Sequence, residues 1–314
     1  TAVMAVSGAL PGKEKAKPQP APAPEPEEPA APEEIEELTD EAKGKSDGGV
    51  TKSGDCGVDE SWFYALEELF EEEPLAESVY DAIESLKSTG IRVTRLVKVL
   101  RAKAKTWKKE GYLKKLGLSD DFMDFALAIY AYTLQNPNVY GAVNGAMFAD
   151  TRSRDQSGEN KLKMVMPYAK FLDTALARLP QSFHFKGLVR RGVPWVFPKP
   201  EAHDVRGYFP KGREIAWYEF KSTSTNPEVM TRDHFCGMCG PRTIFVIEAT
   251  KGYDICKLSD FGEDEAEVLF RPLTRLKVLI SINNIVDPSE KVDARKSGHP
   301  DMVCLEQLDD QDED

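Results

Sequence analysis

Apolar residues in the first half of the chain recur at the spacing of helices. Trp62, Ala65, Leu66 and Leu69 lie three and four residues apart, so they share one face of a helix that begins near residue 59. The same periodicity predicts further helices over residues 75–86, 91–110, a stretch that begins after the cap-like sequence Ser119-Asp120-Asp121, and 161–179.

The pattern changes after Pro180. Short apolar segments separated by Gly, Pro and charged loops predict strands over residues 183–189, 215–220, 243–247, 267–270 and 276–282. Helices first and strands later is an α+β arrangement, whereas a doubly wound sheet would alternate the two. We therefore predict an α+β fold with an N-terminal helical part and a strand-rich core.

Composition divides the chain into four parts. Residues 1–54 are rich in Pro, Ala, Glu and Lys, which predicts a disordered arm that acts either as a regulatory tether or as a passive linker. A helical extension is predicted over 55–117, a catalytic domain over 118–290 and an acidic tail over 291–314. The sequence has no apolar run of eighteen or more residues, so no membrane span is predicted, and the compartment stays open between secreted and cytoplasmic.

Charge narrows the possible partners. The net charge of −12 argues against nucleic acid, because phosphate binding needs clustered Lys and Arg. The predicted helix over 91–110 has one basic face, which could bind an acidic partner or simply be solvated. The five cysteines are an odd number and do not indicate a disulfide framework; Cys236 and Cys239 form a single Cys-x-x-Cys, too little to predict a metal. We expect a monomer.

Three segments of the strand-rich half have residues suited to chemistry. The first is a strand that ends in Arg190-Arg191-Gly192, and the second ends in Ser222-Thr223-Ser224. The third is an acidic run, with Glu263, Glu265 and Glu267, that continues into the apolar segment Val268-Leu269-Phe270.

In this order, the three segments resemble the Arg, Ser-Thr-Ser and Glu-x-Glu motifs of the arginine-specific mono-ADP-ribosyltransferases, which include vertebrate ecto-enzymes and bacterial toxins. The resemblance covers roughly residues 118–285 and extends upstream to Tyr132-Thr133, Tyr140 and Asn144. It implies an NAD-binding core of two packed sheets and transfer of ADP-ribose from NAD to an exposed arginine of a protein acceptor, with release of nicotinamide. It implies no metal.

The resemblance assigns the NAD contacts. Arg191 is preferred to Arg190 because it precedes Gly192, and a planar guanidinium pairs with phosphate oxygens. Gly192 would let the backbone approach the nicotinamide amide. By resemblance Phe235 stacks on nicotinamide, although a core position is an equally good interpretation of this residue.

The hydroxyl segment has two roles. By resemblance Ser222 contacts both the catalytic glutamate and the nicotinamide side of NAD. Thr223 and Ser224 can hold the strand end through hydrogen bonds.

The acidic run supplies the carboxylates. Loss of nicotinamide builds positive charge on the ribose, which a fixed carboxylate stabilises. We assign this role to Glu267, because Val268-Leu269-Phe270 follows it directly. Glu265 would orient the acceptor arginine and accept its proton. The overlapping pair Glu263 and Glu265 is the alternative register. If the segment is extended, Glu265 and Glu267 lie on the same side.

Two other functions stay open. The same site could hydrolyse NAD to free ADP-ribose, or the fold could be a catalytically silent interaction module. The presence of Arg191, Ser222 and Glu267 disfavours the silent alternative.

Overall fold

Apart from one short helix between the first two strands, the α-helices precede the strands along the chain, as the sequence predicts. The computed structural model describes residues 57–153, 156–232, 235–285 and 299–308, all within one compact unit, Leu38–Asp314. The predicted arm over 1–54, Cys56, His234 and the end of the acidic tail lie outside the described residues. Among the described helices, none combines the length and apolar character needed to cross a membrane.

Capping residues mark the start of the first helix and the end of the third. The Asp59 carboxylate accepts a hydrogen bond from Trp62 N at 3.2 Å at the first helix, and Gly111 ends the third in a left-handed conformation. The helices are α1 (Glu60–Glu72), α2 (Val79–Glu84), α3 (Val93–Glu110), α4 (Tyr112–Lys115), α5 (Met123–Thr133), α6 (Val139–Ser153), α7 (Gln156–Ala177) and α8 (Val205–Tyr208).

Seven strands form the second part of the fold. They are β1 (His184–Val193), β2 (Glu214–Trp217), β3 (Lys221–Ser224), β4 (Thr243–Asp254), β5 (Glu267–Phe270), β6 (Thr274–Ile282) and β7 (Asp301–Gln307). Their order is β1-β3-β5-β4-β7-β6-β2, and β1 also pairs with β4. The two packed sheets implied by the resemblance are thus joined by continuous hydrogen bonding, because the long strand β4 pairs with β1 along most of its length, with β7 near its start and with β5 at its end.

Two apolar clusters fix the position of strand β5. One includes the helices and Leu269 of β5, and the other fills the space between strands and includes Val268 and Phe270. Successive side chains of a strand point to opposite faces, so Glu267 shares the helix-facing side with Leu269. Burial of a Leu or Phe side chain stabilises the fold by about 1.5–3 kcal/mol, which anchors β5 from both sides.

Several sequence assignments need correction. Residues 301–307 were assigned to the acidic tail, but they form β7, which lies inside the sheet between β4 and β6. The predicted strand over 215–220 ends at Trp217, and a separate strand, β3, begins at Lys221. Helix α6 had no clear periodic signal. The predicted extension over 55–117 shares one hydrophobic cluster with α5 and α7, so it is packed into the same core.

Candidate active site

Glu267 is the first residue of β5, and it is buried, with 5% of its surface exposed. The Ser222 hydroxyl donates a hydrogen bond of 2.5 Å to one carboxylate oxygen, and the Ser259 hydroxyl lies 3.4 Å from the other. Antiparallel pairing of β3 with β5 puts Ser224 opposite Glu267 and Ser222 opposite Leu269, so Ser222 is the diagonal neighbour of the glutamate. Two hydroxyls thus hold both oxygens of the predicted catalytic carboxylate.

The electrostatics of Glu267 are unusual for a carboxylate. The pKa of Glu267 is raised to about 7, chiefly by burial away from water and also by the nearby charge of Glu265, whereas the hydrogen bonds from Ser222 and Ser259 act to lower it. Within the described part of the chain, no ion pair with a cation offsets this burial. A carboxylate with these properties is typical of functional sites.

Burial distinguishes the three glutamates of the acidic run. Glu263 is exposed, Glu265 is half-buried and Glu267 is buried, so the register that pairs 265 with 267 is the one that directs a carboxylate into the protein. Glu265 does not lie in extended backbone, because it follows a 3-10 turn, Gly262–Asp264, and has φ −103 and ψ −14. The condition for strand alternation, extended backbone at both glutamates, is therefore not met, and the turn decides where Glu265 lies.

Ala266 separates the two glutamates in a left-handed conformation, with φ 45. A residue with a Cβ rarely adopts this conformation, and such strain persists only where surrounding contacts enforce it. The Ser224 hydroxyl supplies one such contact by donating to Glu265 O at 2.6 Å, and Thr225 N donates to Ala266 O at 3.1 Å. Ser224 therefore shapes the turn between the two carboxylates.

The other hydroxyl of the segment has a structural contact. Thr223 donates to Val268 O at 2.8 Å from a buried position. Of the three predicted hydroxyls, Ser222 is the one that contacts the Glu267 carboxylate.

Arg191 lies on β1, and its Nη1 donates to the Ser222 carbonyl at 3.0 Å. This contact ties the arginine to the residue that holds Glu267. Arg190 pairs with Ser224 through the backbone of the neighbouring strand. The contact with Ser222 favours Arg191 as the arginine of the site.

Gly192 has a packing role in addition to its predicted approach to nicotinamide, which stays a prediction. A Cβ added there would lie 2.5 Å from Cys236 Cβ and 3.1 Å from Met230 Sδ. Glycine is needed because the loop after β3 packs directly on β1. That loop includes Phe235, which is half-buried against the apolar cluster formed by Val229, Met230 and Cys236. Stacking of Phe235 on nicotinamide stays a prediction.

The upstream residues named by the resemblance meet at the start of β3. Asn144 Nδ2 donates to the Tyr132 hydroxyl at 2.9 Å and to Phe220 O at 3.1 Å. Burial raises the pKa of Tyr132, and the charges of Glu267 and Arg191 also act on it, which places this tyrosine beside the site. Tyr140, 46% exposed, packs edge-on against Tyr132.

Sequence reasoning missed two residues of this region. Ser259 lies eight residues before Glu267, outside all three motifs, and nothing in its local sequence distinguishes it. Arg232 donates from Nη2 to Asp264 O at 2.8 Å, and its charge lowers the pKa of Glu265, which burial raises first and Asp264 raises further. A lone arginine in a loop has no sequence signal, because its contact lies thirty-two residues away.

Cys236 and Cys239 are both reduced thiols, the first buried and the second exposed. Burial raises the pKa of Cys236 to about 11, so this thiol is neutral at ordinary pH. In the parts of the chain that the structure describes, no group of three or more His, Cys, Asp or Glu side chains is placed to hold a metal ion.

A cleft of about 310 Å³ lies elsewhere, between α1, α7 and the β5–β6 connection. Its walls include Phe63, Asp173, Arg271 and Arg275, and none of the predicted site residues lines it. Its arginines already have carboxylate partners, since Arg271 pairs with Asp173 and Arg275 with Glu60, both at 2.6 Å.

The chain is similar to several solved structures of bacterial proteins. The type III effector XopAI from Xanthomonas axonopodis pv. citri is 17% identical over 79% of this chain and 99% of that chain, with a TM-score of 0.51, which shows a shared fold. HopU1 of Pseudomonas syringae pv. Tomato DC3000, an ADP-ribosyltransferase, is 16% identical over 78% of this chain and 97% of that chain, with a TM-score of 0.44. The Vis toxin from Vibrio splendidus, another ADP-ribosyltransferase, is 17% identical over 77% and 90%, with a TM-score of 0.42.

No curated protein matches the sequence. The family model described as NAD:arginine ADP-ribosyltransferase matches residues 68–293, most of the chain and all three motifs. The chain therefore belongs to the NAD:arginine ADP-ribosyltransferase family.

Proposed function

We propose that this protein transfers ADP-ribose from NAD to the guanidine group of an arginine on an acceptor protein. The observation that carries the proposal is a pair of carboxylates with different environments. Glu267 is buried and held by two hydroxyls, and half-buried Glu265 lies in the adjoining turn. One carboxylate suits a charge that develops inside the site, and the other suits a group that arrives from outside.

NAD is the substrate whose bond breaks first. The bond between the nicotinamide nitrogen and the ribose carbon breaks, its electron pair leaves with neutral nicotinamide, and positive charge develops on the ribose. Glu267, ionised, stabilises that charge, and Ser222 keeps the carboxylate oriented. Arg191 pairs with the phosphates of NAD, since its planar guanidinium matches their oxygens.

The acceptor then completes the transfer. A guanidine nitrogen of the target arginine forms a bond to the same ribose carbon, and the proton that it loses passes to Glu265. Glu265 belongs to the turn at the edge of the site, where a side chain of another protein can reach it. Without an acceptor, water takes its place and the product is free ADP-ribose, so hydrolysis is the competing outcome.

The experiment measures nicotinamide release and guanidine labelling in parallel. The protein is incubated with labelled NAD and either agmatine, a small guanidine, or an arginine-rich protein. We expect Glu267→Gln to lower both nicotinamide release and transfer by about 10²–10³-fold, the order found when an electrostatic partner of a transition state is removed. We expect Glu265→Gln to lose transfer and to keep part of its NAD cleavage.

Glu263→Gln is the matched control, because Glu263 belongs to the same acidic run and is exposed. It should keep both activities. Full activity in Glu267→Gln would contradict the assignment of the catalytic carboxylate. NAD cleavage by the unmodified protein without any labelled guanidine would contradict transfer and leave hydrolysis as the function.

A further inference from the structure

Arg232 lies at the base of the loop that packs on β1. The loop follows a 3-10 helix, Pro227–Thr231, and the Arg232 carbonyl accepts hydrogen bonds from Phe235 N and Gly237 N, both at 3.0 Å. Cys236, which lies between Phe235 and Gly237, packs against Gly192 beside Arg191. The backbone of Arg232 therefore organises the loop on one side of the site.

The side chain of Arg232 contacts the turn that precedes β5. Its Nη2 donates to the Asp264 carbonyl at 2.8 Å, and Asp264 is the last residue of the 3-10 turn before Glu265. One residue therefore links the loop after β3 to the turn before β5.

The charge of Arg232 acts on the same glutamate. Burial raises the pKa of Glu265 and Asp264 raises it further, whereas Arg232 lowers it. The charge of Glu265 in turn raises the pKa of the Glu267 carboxylate. Arg232 is thus the cation that favours the ionised form of Glu265, the form that can accept a proton from a guanidine.

We propose that Arg232 is a positioning residue that holds Glu265 in place for the guanidine acceptor and thereby sets the ratio of transfer to hydrolysis. The inference rests on the proposed function, because it concerns what happens to ADP-ribose after NAD is cleaved. Its geometric basis is the hydrogen bond to the turn together with the backbone bonds within the loop.

The test compares Arg232→Gln and Arg232→Lys with the unmodified protein, using NAD with agmatine. A free guanidine is used so that modification of the protein's own arginines does not enter the measurement. For Arg232→Gln we expect about a ten-fold loss of transfer, the value of one hydrogen bond from a charged donor, and a much smaller loss of NAD hydrolysis. Arg95→Gln, at an exposed position of α3, is the matched control and should change neither.

Arg232→Lys keeps the charge and separates it from the planar hydrogen-bonding group. The rise of transfer with pH should move to higher pH in Arg232→Gln and stay in place in Arg232→Lys. Equal losses of transfer and hydrolysis in Arg232→Gln would overturn the inference, as would an unchanged ratio. If the unmodified protein cleaves NAD and labels no agmatine, the proposed function fails, and this inference fails with it.

Discussion

Two glutamates are buried beside strand β3, and they differ in what compensates their charge. Glu219 is 2% exposed, and its carboxylate lies 3.4 Å from the Lys221 ammonium, which is itself buried. Glu267 is 5% exposed and is held by the hydroxyls of Ser222 and Ser259. The first charge is neutralised by a permanent partner, whereas the second is only oriented.

The difference separates a structural carboxylate from the one that we propose to be catalytic. A buried ion pair completes its own electrostatics, so it has little left to offer a substrate. A carboxylate that hydroxyls orient keeps an unbalanced charge, and a positive group that enters the site provides the balance. The ribose of NAD, as it loses nicotinamide, is such a group. The comparison therefore predicts opposite responses when each carboxylate or its partner is replaced.

The largest expected effect on stability comes from removing the cation of the structural pair. Lys221→Met leaves Glu219 buried without its partner, and we expect the free energy of unfolding to fall by about 4 kcal/mol. Denaturant unfolding followed by circular dichroism measures this. The double variant Glu219→Gln with Lys221→Met is the control and should recover most of the loss. A single variant as stable as the unmodified protein would show that the pair does not compensate the buried charge.

The opposite response is expected at Glu267, the proposed catalytic carboxylate. The pKa of Glu267 rises from 4.5 to about 7 on folding, so the unfolded chain releases this proton at lower pH than the folded protein. The unfolded state binds fewer protons between these values, and stability therefore falls as pH rises from 4.5 to 7. Glu267→Gln removes this cost and should stabilise the protein at pH 8 by up to about 3 kcal/mol.

Thermal melts at pH 5 and pH 8 distinguish this effect from a general gain in stability. The Tm of Glu267→Gln should exceed that of the unmodified protein more at pH 8 than at pH 5. Glu263→Gln, at the exposed glutamate of the same run, should change neither value. A Tm lowered at pH 8 by Glu267→Gln would mean that the carboxylate is compensated after all.

The smallest expected effect concerns the two hydroxyls. NAD cleavage should rise with pH through about 7, because the Glu267 carboxylate ionises in that range. The hydrogen bonds from Ser222 and Ser259 both lower the pKa of this carboxylate. Ser222→Ala removes the shorter hydrogen bond and should move this rise upward by about one pH unit, whereas Ser259→Ala should move it less. The pH dependence of kcat/KM for NAD measures both. A larger displacement with Ser259→Ala would reverse the ranking given by the two distances.

Residues adjacent in sequence account for most of what could be predicted. The motif strands around Arg191, Ser222 and Glu267 follow from local apolar patterns, and the structure brings these three residues together through β1, β3 and β5. The turn at Glu265 could not be predicted, because three contacts with the chain around β3 impose it, including that from Ser224. The packing role of Gly192 could not be predicted either, since the atoms that it accommodates belong to a loop some forty residues away.

Local patterns were enough to predict the α+β class, the helical first half, the motif strands and the residue types of the site, because each depends on residues close together in the chain. The folded structure was needed to show that β7 lies inside the sheet, that Ser259 contacts Glu267 and Arg232 contacts the turn before Glu265, and that, among the described residues, no cation pairs with the buried Glu267. These features depend on where distant segments meet. Burial and hydrogen-bond partners are set by that meeting, and they decide which of several similar carboxylates can do chemistry.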